Sequence, residues 1–252
     1  LKGKKNLNVF VLHPNNRISP VQRKLMTTND ASNVFNIAID GNFDDCQNLV
    51  KTMFNDEKFS KTINMSGVNS INWARIIAQA VYYFYAYFKV GTGEPLSFSV
   101  PTGNFGDIYA GYLAKKLGLP IDKLIVATNK NDILHRAISG GDYTQKKVME
   151  TNTPSMDIQI ASNFERLLFD VKGCNSDVTK QLMSKIKNNT YKIDNEDLDK
   201  IKKNFISEML DENETIEMIK DINDEFQIVI DPHTAVGIGV VKKLGIEKNC
   251  VV

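Results

Sequence analysis

Leu96-Ser97-Phe98-Ser99-Val100-Pro101-Thr102-Gly103-Asn104-Phe105-Gly106-Asp107 carries a strand pattern, a glycine turn and the opening of a helix within twelve residues. Its first five residues alternate apolar and polar, as a β-strand does. From 108 to 119 apolar residues return at helical spacing, and Gly118 and Pro120 close the run. A glycine-bearing turn from strand into helix gathers backbone N–H groups at the positive end of the helix dipole, a setting that stabilises phosphate. Two readings of Gly103 to Asp107 follow. One is a phosphate cradle to which Thr102 and Asn104 add side-chain hydrogen bonds. The other is an ordinary turn that uses glycine for tight geometry. The spacing is neither the GxGxxG of dinucleotide sites nor the GxxxxGK[ST] of nucleotide-triphosphate loops.

Outward from this segment, strand and helix patterns alternate. Strands are expected at 9–12, 34–39, 62–67, 96–100 and 124–127, and helices at 20–26, 44–54, 73–88, 105–117 and 132–138. That order implies an α/β fold with a largely parallel sheet, in which ligands bind beyond the carboxyl ends of the strands. After Gly140-Gly141-Asp142 the segment 143–155 is polar and without a clear element. A helix resumes at Phe164, and 175–225 reads as charged, amphipathic helix with solvated faces. A last strand at 226–230 leads into Asp231-Pro232-His233-Thr234-Ala235-Val236-Gly237, a second strand, turn and helix. The expected organisation is 1–142 as part of a large ligand-binding α/β domain, 143–225 as a mostly helical extension, and 226–252 as a return to the first domain. The aromatic run Tyr82-Tyr83-Phe84-Tyr85-Tyr87-Phe88 reads as core packing.

The chain has 252 residues with 31 basic and 30 acidic side chains, a near balance that argues against a nucleic-acid groove or an anionic-membrane surface. No apolar run reaches the roughly 20 residues that span a bilayer. Cys46, Cys174 and Cys250 are odd in number and in no CxxC pair, so they read as reduced thiols in a cytoplasmic protein. Three histidines, at 13, 135 and 233, suggest no metal triad. The chain starts with Leu1 and enters a strand almost at once, which reads as a piece of a longer protein.

Ser99 to Asp107, followed by Ala110-Gly111-Tyr112-Leu113-Ala114, resembles the cofactor-phosphate loop of threonine synthase, a pyridoxal-phosphate enzyme of the tryptophan-synthase-β fold type. Ile18-Ser19-Pro20-Val21-Gln22, Asp40-Gly41-Asn42-Phe43-Asp44-Asp45-Cys46-Gln47, Asn69-Ser70-Ile71-Asn72-Trp73-Ala74-Arg75-Ile76, Ala161-Ser162-Asn163-Phe164-Glu165-Arg166 and Asp231 to Gly237 agree in family order. The resemblance implies an incomplete three-layer, parallel-sheet core of pyridoxal-phosphate fold type II with a helical extension. It implies that Gly103, Asn104, Phe105 and Gly106 cradle the phosphate of pyridoxal 5'-phosphate. Asp107 belongs to the same motif and equally suits a helix-start acid that points away from the phosphate. Thr234 matches the residue whose hydroxyl donates to the pyridine nitrogen, and equally suits a simple N-terminal helix hydroxyl. Asn69, Ser70 and Arg75 match contacts to the phosphate of O-phosphohomoserine, although Ser70 would also serve as a helix cap.

The implied reaction removes that phosphate and adds water to give threonine. The Schiff-base lysine is expected upstream of residue 1, because Lys2, Lys4, Lys5, Lys24 and Lys89 sit in no such motif. The chain alone is therefore expected to be inactive, with the N-terminal part of the same enzyme as its partner. A serine/threonine dehydratase-like lyase and a non-catalytic phosphate-binding remnant are the alternative readings.

Overall fold

The computed structural model describes residues 1–16, 18, 20–41, 43–69, 72–91, 93–187 and 191–252. The chain forms two compact units, Leu1–Gly67 and Val68–Val252.

The first unit holds β1 (Val9–Pro14), α1 (Pro20–Thr27), β2 (Val34–Ile39), α2 (Phe43–Asn55) and α3 (Glu57–Thr62). β1 and β2 pair in parallel, from Val9 opposite Val34 to Pro14 opposite Ile39. A parallel pair needs a crossover between its strands, and α1 supplies it. Phe10 and Phe35 stack across this pair with ring centroids 5.0 Å apart. At the carboxyl end Asn15 Nδ2 donates to Asp40 Oδ1 at 2.9 Å.

The second unit holds α4 (Trp73–Val90), β3 (Leu96–Pro101), α5 (Gly106–Lys116), β4 (Ile121–Thr128) and α6 (Ile133–Gly140). A 3-10 turn (Pro154–Met156) precedes α7 (Phe164–Val171), α8 (Ser176–Lys187) and α9 (Asn195–Lys202). β5 (Phe205–Met209), α10 (Glu212–Phe226), α11 (Pro232–Lys243) and β6 (Cys250–Val251) complete it. The four strands lie in the order β5-β4-β3-β6, all parallel.

β4 shows why the sheet is covered on both faces. Leu124, Ile125, Val126 and Ala127 are each 0% exposed, the continuous apolar run of a doubly covered parallel strand. Leu124 and Val126 pack in a core with Tyr83, Ile108, Ile133 and Phe164. Ile125 and Ala127 turn the other way, onto Leu210, Val236 and Val240. The result is three layers: helices, sheet, helices. On the α11 side β3 offers small residues, and Ser99 Oγ donates to the Gly237 carbonyl at 2.8 Å. A Cβ at Gly237 would stand 3.2 Å from Pro101 Cγ and 2.6 Å from Val252 Cγ1. Glycine there lets α11 lie against the end of β3.

Four expectations change. Residues 62–67 form no strand, because Asp56 caps α3 by accepting from Phe59 N at 2.9 Å and the helix continues through Thr62. Met65 N then closes that helix on Ser60 O, with Asn64 at φ +49°. Residues 226–230 form no strand either. α10 extends to Phe226 and is ended by Gln227 at φ +56°, which leaves Ile228 and Val229 exposed. Within 175–225 the structure adds β5, whose Phe205 is fully buried opposite Leu124. The aromatic run of α4 is split by the helical period: Tyr83 is buried, while Tyr82, Tyr85 and Phe88 are exposed.

Candidate functional site

Parallel strands deliver the start of each following helix to one edge of the sheet. β3 ends at Pro101 and α5 begins at Gly106 on that edge. α11 runs antiparallel to β3, with Gly237 level with Ser99 and Pro101. Thr234, three residues earlier, thus reaches about 4.5 Å further toward the same edge. The N-termini of α5 and α11 share the carboxyl end of the sheet.

The turn into α5 is strained and fixed. Phe105 occupies the N-cap with φ +64°, a left-handed conformation uncommon for a bulky residue. Its ring is 1% exposed and packs edge-on against Phe164 at 5.1 Å and tilted on Phe205 at 5.6 Å. The first helical bond runs from Tyr109 N to Phe105 O at 3.2 Å. Among the described residues the amides of Gly103, Asn104, Phe105 and Gly106 donate to no protein acceptor. Four donors at the positive end of an 11-residue helix are what an anion requires.

Gly103 faces a wall. A Cβ on it would collide with the carbonyl oxygen of Ser155 in the 3-10 turn. That turn is anchored by a buried polar cluster. Asp157 Oδ1 accepts from Asn129 Nδ2 at 2.8 Å, Asn131 Nδ2 at 2.8 Å and Thr151 Oγ1 at 2.7 Å. Its Oδ2 accepts from Thr151 N at 2.9 Å. Asn104 is held from the other side: its carbonyl accepts both the backbone N–H and Nδ2 of Asn163, at 3.0 and 3.1 Å. Thr102 is buried, with its hydroxyl donating to Val100 O at 2.5 Å.

Asp107 lies in the first turn of α5, and its carboxyl is taken by Tyr83 on α4. The Tyr83 hydroxyl is 3.0 Å from Asp107 Oδ1 and 2.9 Å from Asp107 O. Loss of water around the carboxyl raises its pKa, and the tyrosine hydrogen bond draws it partly back. Burial and the neighbouring carboxylate push the Tyr83 hydroxyl well above its ordinary value.

At α11, Asp231 is the N-cap. Its Oδ1 accepts from His233 N at 2.9 Å and Thr234 N at 3.3 Å, and its Oδ2 accepts the Thr234 hydroxyl at 2.5 Å. The hydroxyl proton of Thr234 is therefore engaged by a carboxylate, and its oxygen keeps lone pairs that can accept a hydrogen bond. Partial burial raises the Asp231 pKa, but the donors from Thr234 and His233 outweigh it and hold the group below 3.8. A depressed folded pKa gives stability that is complete above the unfolded value and is lost as pH falls through the folded one. Asp231→Ala should cost about 1 kcal/mol at neutral pH through the lost cap. The gap to wild type should close as pH drops below 3.8, as read by thermal melts across pH 2 to 7.

Asn69 and Arg75 flank the start of α4, and Ser70 lies outside the described residues. Asn72 caps the helix, its side chain accepting from Ala74 N at 2.9 Å. Arg75 folds back, one guanidinium nitrogen donating to Val68 O at 2.9 Å. The Trp73 ring is 6.4 Å from Tyr109 of α5 and carries the Arg166 guanidinium at 5.2 Å, which places this helix start beside the first turns of α5.

Residues without an assigned role in the sequence reading thus shape the site: Ser155, the Asp157 cluster, Tyr83, Asn163 and Arg166. Only the last two had a signal, as members of a matching stretch. Among the described residues no group of His, Cys, Asp and Glu could hold a metal ion, and no helix is long and apolar enough to cross a membrane.

No family model matches the chain. It is 48% identical over 235 residues to threonine synthase of Pseudomonas aeruginosa, covering 92% of this chain and 50% of that one. The yeast (Saccharomyces cerevisiae) threonine synthase is 43% identical, with 99% of this chain and 52% of that one covered. A solved structure of pyridoxal-phosphate-bound threonine synthase from Brucella melitensis superposes with TM-score 0.90 at 47% identity, over 100% of this chain and 55% of that one. The chain spans about half the length of the curated relatives it matches. Serine racemases and a fungal L-serine ammonia-lyase match at 8–14% identity, a likeness of fold alone.

Proposed function

We infer that this chain, which belongs to the threonine synthase family, forms the anion-gripping part of an enzyme that converts O-phosphohomoserine and water into threonine and phosphate. The observation that carries the reading is the set of four amides at Gly103 to Gly106, without a protein acceptor among the described residues, on the same sheet edge as Thr234.

These residues fit pyridoxal 5'-phosphate. Gly103, Asn104, Phe105 and Gly106 hold its phosphate through backbone N–H groups, and the α5 dipole adds to the attraction. Asp107 belongs to the same turn. Its repulsion of the phosphate is reduced because Tyr83 occupies its carboxyl. Thr234 would be the partner of the ring nitrogen. With its hydroxyl donating to Asp231, it would accept from a protonated nitrogen, and would donate to a neutral one only by releasing Asp231. When bound, the cofactor supplies an electron sink for carbanions next to the amino acid. Asn69, Ser70 and Arg75 take the substrate's phosphate, with the guanidinium as its fixed cation.

No lysine of this chain is given the covalent role. That group and the remaining grip on substrate belong to the other half of the enzyme. The apolar face of α4, where Ile77, Val81, Tyr85 and Phe88 are exposed, supports burial against further polypeptide.

Arg75→Ala in the complete enzyme should raise KM for O-phosphohomoserine about tenfold or more, since hydrogen bonds to charged groups contribute roughly 1.5–3 kcal/mol. Cofactor affinity should stay within about twofold, on the same scale. Turnover unaffected by the change would favour a dehydratase-like lyase. Threonine formed by the 252-residue chain alone would contradict the placement of the lysine elsewhere.

A further inference from the structure

The two anion sites just proposed are joined by a continuous set of contacts that neither site requires for its own chemistry. Asn163 is fully buried at the start of α7. It grips the Asn104 carbonyl with two donors, at 3.0 and 3.1 Å, and its Oδ1 accepts from Arg166 Nε at 3.0 Å. The Arg166 guanidinium lies over Trp73, the first residue of α4 and two before Arg75. Ser162 Oγ adds a hydrogen bond to Asn104 Oδ1 at 3.2 Å.

The first of these contacts has a geometric consequence. In a planar trans peptide the carbonyl oxygen and the next N–H point in opposite directions. Holding the Asn104 carbonyl on Asn163 therefore aims the Phe105 N–H away from that Asn163 contact. We propose that Asn163 and Arg166 are positioning residues that form a strut. Asn163 sets the direction of the Phe105 amide. Arg166 fixes the start of α4, and so Arg75, at a constant separation from the phosphate loop. The inference rests on the reading of the two phosphate sites and adds the device that spaces them.

Trp73 is the single tryptophan of the chain, so its emission reports on the strut directly. The probes are inorganic phosphate and pyridoxal phosphate, added to wild type, Asn163→Asp, Arg166→Met and Arg166→Lys. Asn163→Asp keeps the acceptor for Arg166 and loses the Nδ2 donor to Asn104. It should weaken pyridoxal-phosphate binding, followed by absorbance, at least tenfold. Arg166→Met should keep pyridoxal-phosphate affinity within twofold, because Asn163 still holds the loop, yet weaken inorganic phosphate at the Arg75 site and abolish the change in Trp73 emission on binding, and Arg166→Lys should restore part of both. Each variant is also melted. Effects that scale with lost thermal stability would assign these residues a merely structural role and overturn the proposal. So would wild-type affinity in Asn163→Asp, or a full Trp73 response in Arg166→Met. Wild-type protein that binds neither probe would instead overturn the phosphate-site reading, and the strut with it.

Discussion

Replacing Gly103 by alanine should weaken pyridoxal-phosphate binding by about fivefold to 150-fold, the equivalent of the roughly 1–3 kcal/mol that overpacking costs. The added methyl would meet a backbone carbonyl, that of Ser155, and not the yielding tip of a side chain. Ser155 cannot retreat cheaply. Its turn is closed by Met156 N donating to Thr153 O at 2.9 Å and is tied to Asp157, whose carboxylate is saturated by Asn129, Asn131 and Thr151. The strain falls on the loop instead, and the loop's only asset is the direction of its amides. Gly140→Ala is the control: no atom lies within 4 Å of its new Cβ and its backbone is helical, so affinity should stay at the wild-type value and the melting temperature should hold or rise. Calorimetric titration of both variants with the cofactor makes the comparison.

The second large effect concerns Phe105. Its ring is buried between Phe164 and Phe205, so Phe105→Ala should destabilise the protein by about 3–5 kcal/mol. That is a large share of the roughly 5–15 kcal/mol that holds a domain folded. The backbone at φ +64° adds a discriminating detail. A non-glycine residue in the left-handed region costs roughly 1–2 kcal/mol, and glycine escapes that cost. Phe105→Gly should thus be more stable than Phe105→Ala by about 1 kcal/mol, the reverse of the usual order in a helix. Urea denaturation of the two variants measures the difference.

Both effects bear on what could be read from residues alone. The strand, turn and helix of 96–119 were legible because the hydrophobic period changes from 2 to 3.6 within a few positions. The phosphate loop was legible for the same reason: its glycines interrupt the two periods at the point where a helix exposes its amides. The partners that constrain the loop were not. Ser155 meets Gly103 from 52 positions away, out of a segment whose order comes from one half-buried carboxylate and not from periodicity. Tyr83 was grouped with its aromatic neighbours, and only the angle around α4 separates the one that reaches Asp107 from those left exposed. β5 was hidden because five residues between charged helices have too short a pattern to outweigh their flanks. The hydroxyl of Thr234 was legible as a helix-start group, and Asp231 three residues before it is the reason its proton is already engaged.

If the amides of residues 103–106 receive a phosphate, an amide-resolved NMR titration of the isotopically labelled protein shows it at those atoms. Addition of pyridoxal phosphate should move the N–H resonances of Gly103, Asn104, Phe105 and Gly106 downfield together, with one saturation curve that Thr234 shares. Saturable binding that leaves these four resonances in place, while shifting others, would contradict the account.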